Sequence, residues 1–370
     1  MKVVVAGDFV PTHRVAFVLE SQDYVSVLGD VRKVTDKADY SIVNLECPIV
    51  EGEAIPIVKE GPNLKCSKSA LEALKWAGFD CLTLANNHFL DYGEMGVKTT
   101  LEYSRSLNMD VVGGGQNLKD AARILYRDIS GQRIAILNCC EHEFSIACPD
   151  KAGSNPLNPI QQYYSIHEAK LKSDYVLVIV HGGDELFQLP SPRMVEAYRF
   201  FIDAGADVVI NHHQHCFSGY EKYNGKHIFY GLGNLCFDNP SYQDDLWNYG
   251  YMLEINFSES GIDYSIHPYR QCSYKPIVEL LREDAFDDRI IEINKTIADP
   301  ELLKKKVNLF YDSCVRGYTK IFEPFYNRYF LSALQRGWLH SFISKRRKVA
   351  ANNYIRCESH RDKLEYWLNK

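Results

Sequence analysis

Residues 208–215 read Val-Val-Ile-Asn-His-His-Gln-His. Three β-branched apolar residues in a row suit a strand covered on both faces, and the histidines then fall at its carboxyl end. Ligands of open α/β sheets bind at that end of the strands. His213 and His215, one residue apart just past a buried strand, can aim two imidazoles at neighbouring points in a cleft. The competing reading is a solvated polar turn, and the rest of the chain decides between the two.

Outward from this stretch the same arrangement recurs. Residues 2–6 form a short apolar run that Gly7-Asp8 is expected to close, leaving a carboxylate at a strand end. Tyr40 to Val43 delivers Asn44-Leu45-Glu46-Cys47-Pro48, where Pro48 stops further pairing. The strand from Phe79 to Ala85 runs into Asn86-Asn87-His88, with Asp91 three residues on. Tyr175 to Val180 ends in His181-Gly182-Gly183-Asp184-Glu185. Helix signals lie between these strands: Ala70, Leu71, Leu74 and Trp76 before a Gly78 cap, a segment near 97–107, another near 161–172, and Ser191-Pro192 opening a helix that Gly205 ends. Lys226 to Tyr230 leads into Gly231-Leu232-Gly233-Asn234, and 249–257 and 262–267 read as paired strands. The class is α/β, with one large domain over 1–274 and a helical extension over 275–370.

Two glycine- and proline-bearing stretches need a separate reading. Gly113-Gly114-Gly115 has no following Lys-Ser/Thr, so it reads as a tight turn and not as a phosphate cradle. Residues 141–159 read as a long irregular loop of the kind that forms lids, and His142 within it as an ordinary loop residue.

The bulk properties narrow the function classes. The chain has 370 residues, 46% of them hydrophobic, enough for a large core. A net charge of −6 argues against a nucleic-acid binder, which needs a basic excess to neutralise phosphates. Eleven scattered cysteines without a C-x-x-C pair read as reduced thiols, and with no apolar run near the ~20 residues of a membrane span the expected location is the cytoplasm. In the extension, Lys304-Lys305-Lys306 and Lys345-Arg346-Arg347-Lys348 alternate with Phe310, Tyr311, Phe325, Tyr326, Tyr329, Trp338, Phe342 and Trp367. The aromatics read as packed helix faces. The basic runs read as a solvated surface or, more sharply, as a peripheral contact with an anionic membrane or an acidic polymer.

Asp8, Glu46, Asn87, His88, His181, His213 and His215 thus sit at the carboxyl ends of five strands. Carboxylate, amide oxygen and imidazole form a mixed N/O set suited to one or two divalent ions such as Mn, Fe or Zn. Two such ions would activate a shared water and clamp an in-line displacement at phosphorus, so phosphoester hydrolysis is the natural chemistry. His88 is assigned to the leaving group as a general acid, with Asp91 holding its ring.

In order along the chain, Gly7-Asp8, Asn44-Leu45-Glu46-Cys47-Pro48, Asn86-Asn87-His88 with Asp91 and Gly93, His181-Gly182-Gly183-Asp184-Glu185, Asp203 to Ile210 with His212-His213-Gln214-His215, and Gly231-Leu232-Gly233-Asn234 with Phe237-Asp238 resemble the motifs of the CapA family. These are poly-gamma-glutamate capsule synthesis proteins whose fold is similar to that of the calcineurin-like metallophosphoesterases. The resemblance covers roughly residues 1–270. It implies a four-layer α/β/β/α sandwich, Asp8, Glu46, Asn87, His181, His213 and His215 as metal ligands, His88 as the catalytic histidine, and His212, Glu185 and Asn234 at the substrate. Metallophosphoesterases usually open with Asp-x-His, whereas Val10 stands two after Asp8 and His13 is the nearest substitute. Gly182 and Gln214 stand where the family often has Trp and Pro.

Two functions follow. One is a metal-dependent phosphoesterase acting on a phosphorylated small molecule or acidic polymer precursor, alongside capsule-synthesis enzymes. The other is a non-catalytic capsule-synthesis subunit that binds an acidic polymer or a partner enzyme. A third and weaker reading, an amide or peptide hydrolase, uses the same activated water.

Overall fold

The computed structural model describes residues 1–322, 336 and 344–368, so the sequence reading of Phe325, Tyr326, Tyr329, Trp338 and Phe342 lies outside the described residues. Strand β1 (Lys2–Val10) sets the frame. Its Val3 and Val5 fall in one apolar core and its Val4 and Ala6 in another, so both faces are covered and the run is apolar throughout. Parallel to it lie β2 (Tyr40–Leu45), β3 (Cys81–Thr83) and β4 (Asp110–Val112). Helices α1 (His13–Glu20), α2 (Tyr24–Thr35), α3 (Lys68–Trp76) and α4 (Gly93–Ser106) bury Val15, Leu28, Leu71 and Val97 against the Val4–Ala6 side. Helix α4 starts earlier than the expected 97, because Gly93 supplies the left-handed φ of 67° that turns the chain into it.

Beyond β4 come β5 (Gly114–Gly115), α5 (Leu118–Ala121), β6 (Leu125–Ile129), β7 (Gln132–Cys140), β8 (Gly153–Ser154), α6 (Pro159–Lys172), β9 (Tyr175–His181), α7 (Pro192–Asp203), β10 (Val208–His212), β11 (Tyr220–Tyr223) and β12 (Lys226–Phe229). Strands β7, β9, β10 and β12 are parallel, with β6 and β11 antiparallel at the two edges, in the order β11-β12-β10-β9-β7-β6. Helix α7 begins as the sequence signals, with the Ser191 side chain accepting from the Met194 N–H and Pro192 in the first turn. Helices α6 and α7 pack Ile166, Ala169, Tyr198 and Phe201 on this second sheet, whose other side meets Val3, Val5, Ile42 and Cys81 of the first. The result is the expected four layers, α/β/β/α.

The chain then returns to the first sheet as β13 (Asn234–Phe237), β14 (Tyr249–Ser258), β15 (Gly261–Gln271) and β16 (Val278–Leu280). Gly7-Asp8 do not close β1, contrary to expectation. Residues 2–5 pair with β14, the register shifts at Asp8, and β13 takes over as the parallel neighbour out to Val10. A bulge there re-aims a side chain without ending the strand. Past residue 275, β16 still belongs to the sheet, and helices α8 (Asp287–Ile297), α9 (Pro300–Phe322), α10 (Lys345–Arg356) and α11 (Glu358–Leu368) follow. Ile290, Ile293, Leu303 and Val307 bury on the second sheet's core, while Lys304, Lys305 and residues 345–348 face solvent. No described helix is long and apolar enough to cross a membrane, and all eleven cysteines are free thiols.

The glycine triplet joins the two sheets. Asn138 on β7 accepts the Ala85 N–H at 2.7 Å and donates to the Ile179 carbonyl at 3.0 Å, and Gly113 lies directly against it. A methyl on Gly114 would come within 2.6 Å of the Phe89 ring and 2.7 Å of the Leu84 Cβ. Gly114→Ala is therefore expected to lower stability by about 1–3 kcal/mol, read as a lower midpoint in urea unfolding.

Candidate metal centre

The sequence turns sharply at each strand end, and these turns bring the donors together. Tyr198 Oη donates to Asn211 Oδ1 at 2.6 Å, while Asn211 Nδ2 donates to the carbonyls of Gly182 and Tyr230. That network fixes the exit of β10. His213 and His215 then take left-handed φ values of 91° and 54°, a conformation that costs about 1–3 kcal/mol per residue and persists only where the surroundings impose it. On the first sheet, Asn86 donates to the Leu45 carbonyl and accepts the His88 N–H, and Ser145 donates to the Asn87 carbonyl. The Asn86–His88 loop is thereby sewn to β2 and to the loop after β7.

Two sets of donors share Glu46. In one, ligand atoms of Glu46, His181 and His213 lie within 4.8 Å of one another; in the other, those of Asp8, Glu46 and His215 do. His181 Nε2 is 3.4 Å from Glu46 Oε1, 3.1 Å from Asn87 Oδ1 and 3.1 Å from His213 Nδ1. His215 Nδ1 meets Asn234 Oδ1 at 2.8 Å and Asp8 Oδ2 at 3.5 Å, and its Nε2 faces Glu46 at 3.8 Å. Glu46 is fully buried, yet neither of its oxygens accepts a hydrogen bond. Asp8 is better supplied, taking bonds from Asn44 Nδ2 at 2.7 Å and from the His213 N–H.

The electrostatics follow from burial. Desolvation pushes His181 down to about 4 and His213 to about 3, so both rings are neutral and offer lone pairs. It pushes Glu46 up to about 8. His215 resists the same desolvation, because Glu46, Asp8 and Glu185 surround it, and rises to about 10. Burial also opposes ionisation of Asp8, but its bond to the charged His215 and the neighbouring His181 and His212 rings hold it below the ordinary carboxylate range. The cavity bounded by Asn87, Cys140, Glu141, Glu143, His181, Gly182 and His213 measures about 10 Å³, the size of one water or ion.

Next to this cluster, His88 Nδ1 lies 2.6 Å from Asp91 Oδ2. Asp91 also accepts the Leu64 N–H, and its other oxygen pairs with the buried Lys59, whose Nζ is 3.0 Å from His88 Nδ1. Sequence reasoning missed Lys59, which sits in an irregular stretch with no periodicity to mark it. Of the three residues assigned to substrate, Asn234 is spent on His215 and on the carbonyls of His215 and Trp247, and His212 is buried with Nδ1 3.5 Å from Asp8. Glu185 is exposed, with a carboxylate oxygen within 4.8 Å of the His213 and His215 nitrogens. His13 is exposed at the start of α1, while Val10 is buried.

Helix α11 covers the loop after β7, which no local signal announced. Glu358 binds His142 through both its N–H (2.8 Å) and Nδ1 (2.6 Å), so His142 is an anchor and not the ordinary loop residue expected. Ser359 donates to Glu141, Arg193 bridges Glu141 and Asp362, and Lys363 pairs with Asp184. Glu143 Oε2 accepts from Asn87 Nδ2 at 3.3 Å, which ties the loop to the centre.

Residues 2–239 match the family model described as "Bacterial capsule synthesis protein PGA_cap". The chain belongs to that family. It is 32% identical over 246 residues to "Capsule biosynthesis protein CapA" of Bacillus anthracis, covering 64% of this chain and 60% of that one. Against "PGA biosynthesis protein CapA" of Bacillus subtilis it is 34% identical over 235 residues, covering 63% and 62%. The chain thus spans about three-fifths of the length of these relatives. Among solved structures it is similar to a 5'-nucleotidase precursor from Thermus thermophilus, with a TM-score of 0.45, 12% identity and coverage of 82% of this chain and 59% of that one. It is also similar to a dimetal phosphatase from Danio rerio, with a TM-score of 0.33, 9% identity and coverage of 61% and 94%.

The donor set fits a divalent cation on this chain's own chemistry. A buried carboxylate without a donor is costly, and neutral imidazoles and an amide oxygen complete an N/O shell around it. Chelator-treated protein is expected to gain unfolding free energy on adding Mn²⁺, about 2.7 kcal/mol at a hundredfold excess over Kd, and Glu46→Gln to lose most of that gain in calorimetry. A second expectation concerns α11. Burial opposes ionisation of Glu141, but Arg193 and Ser359 prevail and hold it down to about 2 from 4.5. A depressed carboxylate contributes stability above its unfolded pKa and loses it as pH falls through the folded one. The stability difference between the native protein and Glu141→Gln should be full above about pH 4.5 and fade toward about pH 2 in acid titrations followed by circular dichroism.

Proposed function

We propose that this chain is a metal-dependent phosphoesterase of the capsule-synthesis family. The observation that carries the reading is the unpartnered Glu46 carboxylate, buried among Asp8, His181, His213 and His215 and adjoining the His88–Asp91 pair. Asp8, Glu46, Asn87, His181, His213 and His215 would hold one or two Mn, Fe or Zn ions. When bound, such ions polarise a phosphoryl oxygen and lower the pKa of an attacking water.

The chain's own residues supply the rest. Asp91 accepts from His88 Nδ1–H and fixes the ring's orientation, and in its imidazolium form the ring would donate its Nε2 proton to the departing oxygen. Lys59 is held against Asp91, so its charge stands beside the histidine and favours an anionic substrate there. Asn234 orients His215 by accepting at Nδ1, as outer partners of ligand imidazoles do. The substrate would be a phosphorylated small molecule or polymer precursor, handled in the cytoplasm with capsule-synthesis enzymes.

A second reading rests on the tightness of the site. The cavity beside Asn87, His181 and His213 is only about 10 Å³, and the exposed lysines and arginines of α9 and α10 suit a subunit that binds an acidic polymer. An assay separates the two. With Mn²⁺ the protein should hydrolyse an aryl phosphate ester, and His88→Ala should lower kcat by about 10²–10⁴. Absence of turnover with every divalent metal, together with binding to polyglutamate, would establish the second reading instead.

A further inference from the structure

Helix α11 does more than cover the loop after β7. It brings Cys357, just before its first residue, and His360, in its first turn, to Glu143. Cys357 Sγ is 3.5 Å and His360 Nε2 is 3.6 Å from the same oxygen, Glu143 Oε1, and all three ligand atoms lie within 4.8 Å of one another. Tetrahedral zinc, with bonds of about 2.3 Å to sulfur and about 2.0 Å to nitrogen or oxygen, sets its ligands about 3.3–3.5 Å apart. The spacing around Glu143 is already close to that. Cys357 is 1% exposed, and Glu141 Oε2 lies 3.7 Å from its sulfur. The thiol thus sits between two carboxylates, where a deprotonated sulfur would need a cation beside it.

We propose that Glu143, Cys357 and His360 form a separate site for a thiophilic divalent cation of the zinc class. Binding replaces the Cys357 S–H bond with a sulfur–metal bond and releases the proton to solvent. Three protein donors leave the fourth tetrahedral position to a water. The site adjoins the candidate centre, since Glu143 accepts from Asn87 through its other oxygen, but its donors are different residues, and Cys357 and His360 fall outside the residues the family model matches. The cation would clamp α11 onto the loop after β7, so that metal supply governs how firmly the helix covers the centre beneath.

Cobalt tests this directly. Among the described residues this is the one candidate metal cluster that contains a sulfur, so a sulfur-to-cobalt charge-transfer band reports it and not the Glu46 cluster. The reduced protein, freed of metal and titrated with Co²⁺, should develop the band. Cys357→Ser should abolish it and lower the cobalt stoichiometry by one, and His360→Ala should weaken it by more than about tenfold in affinity. Glu46→Gln should leave it in place, whether or not the phosphoesterase assay succeeds. A native protein without the band, a band that survives Cys357→Ser, or one indifferent to His360→Ala would overturn the proposal. If Cys357→Ser unfolds, the His360→Ala comparison and the native titration still decide.

Discussion

The organising constraint in this molecule is a carboxylate with nowhere to send its charge. Glu46 is removed from water at the end of β2, and the fold surrounds it with imidazoles and an acid in place of N–H donors. An uncompensated buried ion costs on the order of several kcal/mol, so evolution keeps such a group only where something offsets it. The protein's own answer is partial, a protonated Glu46 or a charged His215, and each of these is the state a cation would displace. The left-handed turns at His213 and His215, the bulge at Asp8 and the sewn Asn86–His88 loop all serve to hold donors around that carboxylate.

Strain of this kind requires a stiff frame. Both sheets present parallel strands with their carboxyl ends on the same edge, and Asn138 ties them there through one side chain that accepts from the first sheet and donates within the second. Gly113 lets that approach happen, because a methyl there would meet Asn138 and Ala85 at less than 3 Å, while Gly114 and Gly115 make room for Phe89, Leu84 and α5. Gly113 therefore serves the candidate centre by allowing the sheets to approach.

The C-terminal helices change how the centre must be approached. Ion pairs to Asp184 and Glu141 and the Glu358–His142 contact hold α11 over a loop that itself bonds to Asn87. Access to the buried donors and the docking of α11 are therefore linked through Glu141 and Glu143. A catalytic reading needs this cover to move, whereas a polymer-binding reading is satisfied with it in place and with the exposed basic residues of α9 and α10.

Much of this was legible in the chain itself. Largely apolar runs of three to seven residues that lead into Asp, Glu, Asn or His pointed to the α/β class, because a strand buried on both faces must be apolar and its functional residues must follow it. The same logic singled out Asp8, Glu46, Asn87, His181, His213 and His215 and the pairing of His88 with Asp91. Hidden from the sequence were Lys59, Glu143, Cys357 and His360, and the true length of β1. Their roles depend on contacts between residues that include pairs 214 positions apart, and no local periodicity or turn chemistry encodes such distances. Local patterning decides which residues stand at strand ends, since it follows from backbone geometry a few residues long. Only the packing of sheet on sheet and helix on loop decides which of those ends share one dry pocket, because that depends on long-range burial and charge pairing.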